Sequence, residues 1–256
     1  MKRIGILAIV VGIVFAFSAV CSFAADETGL KVTAKNGTVR VKIYPSDKWA
    51  DLNVGQMVHL KDTVKTDPCD AHSKGGKYTD DKGNLCPLCG AATLELSDKS
   101  SVSLKPGTEI SIDELVMNNA ARKLKVNMPK GELRMIVAKV GTPSDFSVKT
   151  PNAIYGATGT LFYVSATASG TSVYVADGSI IVVDPLTGTT YTVTAGMTMT
   201  FNADGTVTGP TPASDVDVSN WTACYTPTAE PYTPADLASL AVNPPGQIGE
   251  RGISGG

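Results

Sequence analysis

Asn36-Gly37-Thr38-Val39-Arg40-Val41-Lys42-Ile43 decides how the rest of this chain is read. Val39, Val41 and Ile43 alternate with Thr38, Arg40 and Lys42, the period that sets one face of a strand on a core and the other in water. Asn36-Gly37 just before them is a turn dipeptide. The pattern repeats in both directions along the chain. Ala92-Thr93-Leu94-Glu95-Leu96, Val102-Ser103-Leu104 and Glu109-Ile110-Ser111-Ile112 are further short strands, set apart by Ser97-Asp98-Lys99-Ser100 and Lys105-Pro106-Gly107. Leu124–Val126, Leu133–Ala138, Phe146–Val148, Leu161–Val164, Ser172–Val175, Ser179–Asp184, Thr190–Thr194, Met197–Phe201 and Thr206–Thr208 continue the series. Turns about every ten residues predict an all-β fold, a roll- or solenoid-like sandwich of many short strands. Two segments read as helical: Ile112–Arg122, and a short helix through Ala241 opened by Thr233-Pro234-Ala235-Asp236.

Lys2 and Arg3 precede an apolar run from Ile4 to Val20, and Ser22-Phe23-Ala24 supplies the small residues of a cleavage site. This is the pattern of a secretory signal peptide, residues 1–24. The run is near the shortest that spans a bilayer, so an uncleaved anchor is the alternative. Cys21 invites a lipoprotein reading, but Ser18-Ala19-Val20 lacks the Leu and small-residue pattern expected ahead of a lipidated cysteine. The chain of 256 residues carries a formal net charge of −2. Loss of Lys2 and Arg3 makes the mature chain about −4. No basic block is left, which argues against nucleic acid or anionic lipid as a partner. No integral membrane domain is expected after cleavage, and the destination is periplasmic or extracellular.

The β-pattern spans residues 25–205 and is interrupted by a Gly-, Asp- and Lys-rich insertion at 67–90. Beyond it, residues 206–256 are rich in Pro, Thr and Gly and read as a flexible tail or docking arm.

Chemistry concentrates in the insertion. Cys69-Asp70-Ala71-His72 and Cys86-Pro87-Leu88-Cys89-Gly90 form a C-x2-H plus C-x2-C array. Cys69, His72, Cys86 and Cys89 are therefore a candidate tetrahedral zinc set, which makes zinc a candidate cofactor. Disulfides compete with it, because Cys69, Cys86, Cys89 and Cys224 make an even set in an exported chain. A bridge from Cys224 would pin the tail to the insertion. Redox cycling at Cys86 and Cys89 lacks a thioredoxin-like βαβ context, and c-type haem attachment lacks the His that Gly90 replaces.

Several quoted stretches resemble the FecR-domain family. They begin with Gly37-Thr38-Val39, Trp49-Ala50-Asp51-Leu52, Gly55-Gln56-Met57-Val58 and Thr63-Val64-Lys65-Thr66. The resemblance resumes at Ala92–Ser100, Leu104-Lys105-Pro106-Gly107-Thr108 and Gly131-Glu132-Leu133-Arg134. Its most specific part is Phe146–Ala153 with Gly156–Val164, followed by Val173, Val175, Gly178, Ile180, Val182 and Val193–Gly196. It implies an all-β domain outside the cytoplasm, of a kind found in proteins that relay a surface signal to a sigma factor during iron uptake. That relay needs a cytoplasmic segment, and only Met1–Arg3 precede the apolar run, so direct transcriptional control is not expected. Thr158, where the family often has Arg, and the insertion are further departures.

No catalytic residues are assigned. His59 alternates with Val58 and Leu60 and reads as a solvated strand position. Asp113 and Glu114 are adjacent and would diverge in a strand, so they make no acid/base pair. Gly156-Ala157-Thr158-Gly159-Thr160 lacks the Lys and helix of a phosphate loop and reads as a β-turn. Trp49 and Trp221 read as core anchors. The expectation is an exported, non-catalytic module acting by protein–protein contact or self-association at the cell envelope. The alternative is a metal- or redox-responsive sensor built on the insertion.

Overall fold

The computed structural model describes residues 28–69 and 89–225, together with the backbone of 77–79 and 85–87. Among the described residues nineteen strands run in chain order: β1 (Leu30–Asn36), β2 (Val39–Lys42), β3 (Trp49–Asp51), β4 (Met57–Val58), β5 (Thr63–Thr66), β6 (Lys77–Thr79), β7 (Leu85–Pro87), β8 (Ala91–Glu95), β9 (Ser101–Leu104) and β10 (Glu109–Met117). They continue as β11 (Arg122–Ile136), β12 (Ser144–Lys149), β13 (Ile154–Ala157), β14 (Leu161–Thr167), β15 (Gly170–Asp177), β16 (Ser179–Val183), β17 (Thr190–Thr194), β18 (Met197–Asn202) and β19 (Val207–Pro212). One short helix among the described residues, α1 (Asp215–Thr222), follows.

Among the described residues seventeen strands join into one mixed sheet that does not close, while β6 and β7 pair only with each other. The large sheet has two limbs that share β11. The first runs β4-β1-β8-β9-β11-β14-β15-β18-β19. The second runs β3-β2-β5-β10-β11-β12-β13-β16-β17. Every pairing is antiparallel except β11 with β12. After β11 the chain alternates hairpins between the limbs, which gives the roll its solenoid-like winding.

Alternation explains why the limbs face each other. Val39 and Val41 of β2, Leu94 of β8, Phe146 and Val148 of β12 and Phe162 and Val164 of β14 are all buried in one continuous core. Tyr155 of β13 crosses this core and donates its hydroxyl to Thr171 Oγ1 of β15 at 3.1 Å. The polar tip of a buried aromatic is thereby satisfied by the opposite limb.

The long strand β11 changes limb midway. Arg122 to Asn127 pairs with β10 and β12, whereas Gly131 to Ile136 pairs with β9 and β14. Gly131 sits at the change with φ +103°, and a Cβ there would lie 2.3 Å from Thr108 Cα. Only glycine fits that close approach and that backbone conformation.

The helix expected at Ile112–Arg122 is a correction. The segment is the second half of β10, a turn at Asn118 to Ala121, and the start of β11. The register of β10 shifts between Ile112 and Glu114, so Ile112 and Leu115 both face the core. A bulge that adds one residue makes a strand imitate helical spacing. Asn118 Oδ1 accepts from the backbone N–H of Ala120 and Ala121, an Asx turn that closes the hairpin. The helix expected after Thr233 lies outside the described residues.

The boundary drawn at 206 also moves. β19 pairs with β18, α1 follows directly, and Tyr225 is fully buried, so residues 207–225 belong to the packed body.

Candidate functional site

The two ends of the insertion meet at one point on the body. Asp67 N–H donates to Thr38 O at 3.0 Å, and Gly90 N–H donates to Asp67 O at 3.1 Å. The backbones run so close that a Cβ on Gly90 would lie 2.2 Å from Thr38 O. Just above this junction Cys69 and Cys89 form a disulfide, with Cα atoms 5.2 Å apart and a sequence separation of 20. Closing a loop of that length stabilises the fold by about 3 kcal/mol through the unfolded chain. The excursion is thus tied off at its base, and the strands on either side, β5 and β8, keep their places in opposite limbs.

Of the candidate zinc set, Cys69 and Cys89 are bonded to each other. His72 and the side chain of Cys86 lie outside the described residues. While the bridge stands, its sulfurs are not the thiolates that zinc requires. Among the described residues no group of three His, Cys, Asp or Glu is placed to hold a metal. Cys224 is disulfide-bonded as well.

Polar side chains staple the turns of the neighbouring strands. Asp98 forms a buried ion pair with Arg122, accepts from Ser100 N–H at 2.8 Å and from Ser100 Oγ at 2.9 Å. Arg122 in turn donates to Ala138 O at 3.1 Å, and Ala138 N–H donates to Ser100 Oγ at 3.0 Å. Thr108 Oγ1 donates to Glu132 O at 2.9 Å and accepts from Glu132 N–H at 2.9 Å. Thr150 Oγ1 donates to Ala153 O, and Thr160 Oγ1 to Ser179 O.

The outer face of the first limb carries a cap. Ser214 begins α1 with a capping box: its hydroxyl accepts from Asp217 N–H while the Asp217 carboxylate accepts from Ser214 N–H. Val218 and Trp221 then pack on Tyr163 and Tyr174, the outward aromatics of β14 and β15. Cys224, at φ +63°, turns the chain so that Tyr225 enters beside Tyr163, with ring centroids 5.5 Å apart. Lys105 Nζ lies 4.9 Å from the Tyr225 ring centroid and the Arg134 guanidinium 5.1 Å, both within cation–π range. Burial pushes the Tyr225 phenol well above its ordinary value, Glu132 and Tyr163 add to the shift, and Arg134 opposes it.

Residues 89–181 match the family model described as FecR protein. This stretch is a FecR domain. No curated protein matches the chain. Two solved structures of a candidate anti-sigma factor from Parabacteroides distasonis are similar to it, each at 19% identity, with TM-scores of 0.43 and 0.42. Both alignments cover 57% of this chain, which spans 64% of the length of those chains.

The FecR domain runs from Cys89, the end of the insertion, to β16. It therefore includes the Asp98–Arg122 staple, Thr108, Gly131, Thr150 and Thr160. Among the residues quoted for the family resemblance, Ser100, Thr108, Thr150 and Thr160 staple turns and Gly131 allows a close approach, while Val164, Val173, Ile180 and Val182 belong to the core. Thr158, a departure from the family pattern, is an exposed bend residue beside Gly159.

Other single residues fall as follows. His59 is exposed, with Nδ1 3.4 Å from Thr28 O. Asp113 is exposed and accepts from Ser111 Oγ at 3.0 Å. Glu114 is bound to Lys125 at 2.8 Å and Lys123 at 3.4 Å. The hydrogen bond from Lys125 leads in holding the Glu114 carboxyl below the usual carboxylate range. Trp49 corrects the core-anchor reading: it is half-buried on edge strand β3, with Lys65 Nζ 4.0 Å and Lys42 Nζ 5.6 Å from its ring centroid. Trp221 is partly buried and anchors the cap rather than the main core.

Sequence reasoning missed α1 and the Tyr225 cap. Ser214-Asp215-Val216-Asp217 was the signal for the helix, a capping-box spacing with acidic residues in the first turn.

Proposed function

We propose that the chain is an exported, non-catalytic module that works by protein–protein contact at the cell envelope, in the form of self-assembly through an open sheet edge. The observation that carries this reading is β17. Among the described residues, Thr190-Tyr191-Thr192-Val193-Thr194 pairs along its length with β16 on one side only, and it has neither charge nor proline. Such a strand is a template for an added strand. The remaining edges are blunted: β19 contains Pro210 and Pro212, β4 has two residues, and β3 carries Asp51 beside the Lys-covered Trp49.

The occupant of the β17 edge is the segment 226–256 of a neighbouring copy, whose Leu237–Val242 supplies a short apolar run. The Cys69–Cys89 bridge supports an oxidising compartment, since such bonds persist outside the cytoplasm. Among the described residues no helix is long and apolar enough to cross a membrane. Light scattering on full-length and 226–256-deleted protein tests the reading. Concentration-dependent assembly of the full chain, lost on deletion and in Thr192→Pro, is expected. Equal monomers in all three samples would remove it.

The Cys69–Cys89 bond also favours a second reading, a redox-responsive insertion. It requires that reduction alter the insertion without melting the body. Amide exchange before and after reduction would show this as a loss of protection confined to residues 67–90, and unchanged exchange there would dismiss it.

A further inference from the structure

The cap leaves a cleft between α1 and the outer face of the first limb. Its volume is about 260 Å³, and it is lined by Glu132, Ser165, Ser172, Thr200, Asn202, Asn220 and Trp221, among others. The floor is ordered by sheet register. Glu132, Ser165, Ser172 and Thr200 stand opposite one another across β11, β14, β15 and β18. At the strand spacing of a sheet this polar row is about 14 Å long. Ser172 Oγ and Thr200 Oγ1 are 2.9 Å apart, so the hydroxyls are mutually oriented. One step along, Gly170 pairs with both Thr167 and Asn202, and a Cβ there would lie 2.2 Å from Phe201 O, so glycine lets β15 and β18 approach closely at this end of the floor. Trp221 and Asn220 form the facing wall from α1.

We propose that this cleft is a saccharide-binding site. The lining selects against other ligand classes. Among the described residues it contains two carboxylates, Glu132 and Asp217, and no Lys or Arg, which disfavours phosphates and acidic peptides. Its floor is hydroxyl and amide rather than aliphatic, which disfavours a lipid tail. Hydroxyls and amides that both donate and accept match a neutral polyhydroxylated ligand. An indole at the rim offers the flat apolar face on which a sugar ring's C–H face rests. The volume, just under the usual range for drug-sized ligands, suits one or two rings held in an open groove. Both carboxylates are already held, Glu132 by Lys105 at 2.8 Å and Asp217 by the capping box, so the site binds a saccharide rather than hydrolysing it.

The full-length oxidised chain carries two tryptophans, and Trp49→Phe leaves Trp221 as the only indole emitter. Titration of that variant with N-acetylglucosamine tetramer, cellotetraose and maltotetraose, read by Trp221 fluorescence and checked by calorimetry on the parent chain, is the test. Saturable binding of at least one of them is expected, weakened tenfold or more by Trp221→Ala. Thr200→Val, nearly isosteric on the exposed side of a paired strand, keeps the fold and is expected to weaken binding at least threefold. No saturable binding of any of the three, or affinity unchanged in both Trp221→Ala and Thr200→Val, overturns the proposal. Assembly through β17 is read separately by light scattering, so either proposal can fail alone.

Discussion

The Arg134 guanidinium lies 5.1 Å from the centre of the fully buried Tyr225 ring. Through this pair the chain beyond the last strand is locked onto the outer face of β11. Truncation of Tyr225 to Ala is expected to cost about 3–5 kcal/mol, the range for emptying a buried aromatic site. Its hydroxyl, by contrast, is buried with no hydrogen-bond partner among the described residues. Tyr225→Phe removes an unsatisfied polar atom and is expected to be at least as stable as the parent. Urea unfolding of the two variants checks the pair of outcomes, and a Phe variant as damaged as the Ala variant would contradict the packing described.

Asp98 and Arg122 are both buried and bridge the turn before β9 to the first residue of β11. Asp98→Asn or Arg122→Met alone strands the other group and is expected to cost about 3–5 kcal/mol. The double variant is expected to cost less than the two single changes added together, because no uncompensated charge remains. A thermodynamic cycle from denaturant unfolding measures this coupling.

Strands were legible in the sequence wherever alternation was uninterrupted. Thr190–Thr194 is recovered with the same limits, and Val39–Lys42 within a residue at each end. Legibility failed at the bulge after Ile112, where the added residue converts period two into apparent helical spacing. It failed again at the cap, because Tyr163 and Tyr174 are outward positions that alternation assigns to water. Only tertiary contact with Val218, Trp221 and Tyr225 buries that face. The cysteine pairing could not be read from spacing at all. Zinc knuckles and a Cys69–Cys89 bridge share one sequence pattern, and the approach of Asp67 to Gly90 that juxtaposes the two cysteines is a property of the folded sheet. The cleft under α1 was invisible for the same reason, since its lining comes from five separate elements.

Tyr155 gives the body an alkaline limit. Burial pushes its phenol up to about 12, with hydrogen bonds involving Thr171 and Thr150 opposing the shift. A folded value above the unfolded one means that the native state holds its proton more tightly. The associated stability is therefore present in full below the unfolded value near 10 and is lost as pH rises toward about 12. The loss is on the order of 2–3 kcal/mol. Urea midpoints measured from neutral to strongly alkaline pH should fall in this window, and Tyr155→Phe should flatten the fall.

The cysteines yield the most direct check on the cap and the insertion together. Cys69–Cys89 is one bridge, and Cys224 is also disulfide-bonded. Of the five cysteines, Cys21 falls in the segment expected to be cleaved, which leaves Cys86 as the expected partner of Cys224. Peptide mapping of exported protein under non-reducing conditions should recover Cys69–Cys89 and Cys86–Cys224 and no free thiol. Cys86→Ser should expose one titratable thiol, at Cys224, and loosen the cap, with faster amide exchange at Trp221 and Tyr225. Replacement of both Cys69 and Cys89 by Ser should lower stability by about 3 kcal/mol while preserving exchange protection in β8 and β9, because the loop is also closed by the Asp67 and Gly90 backbone bonds. Exchange-labile β8 and β9 in that double variant would mean that the bridge, rather than the sheet, holds the FecR domain together.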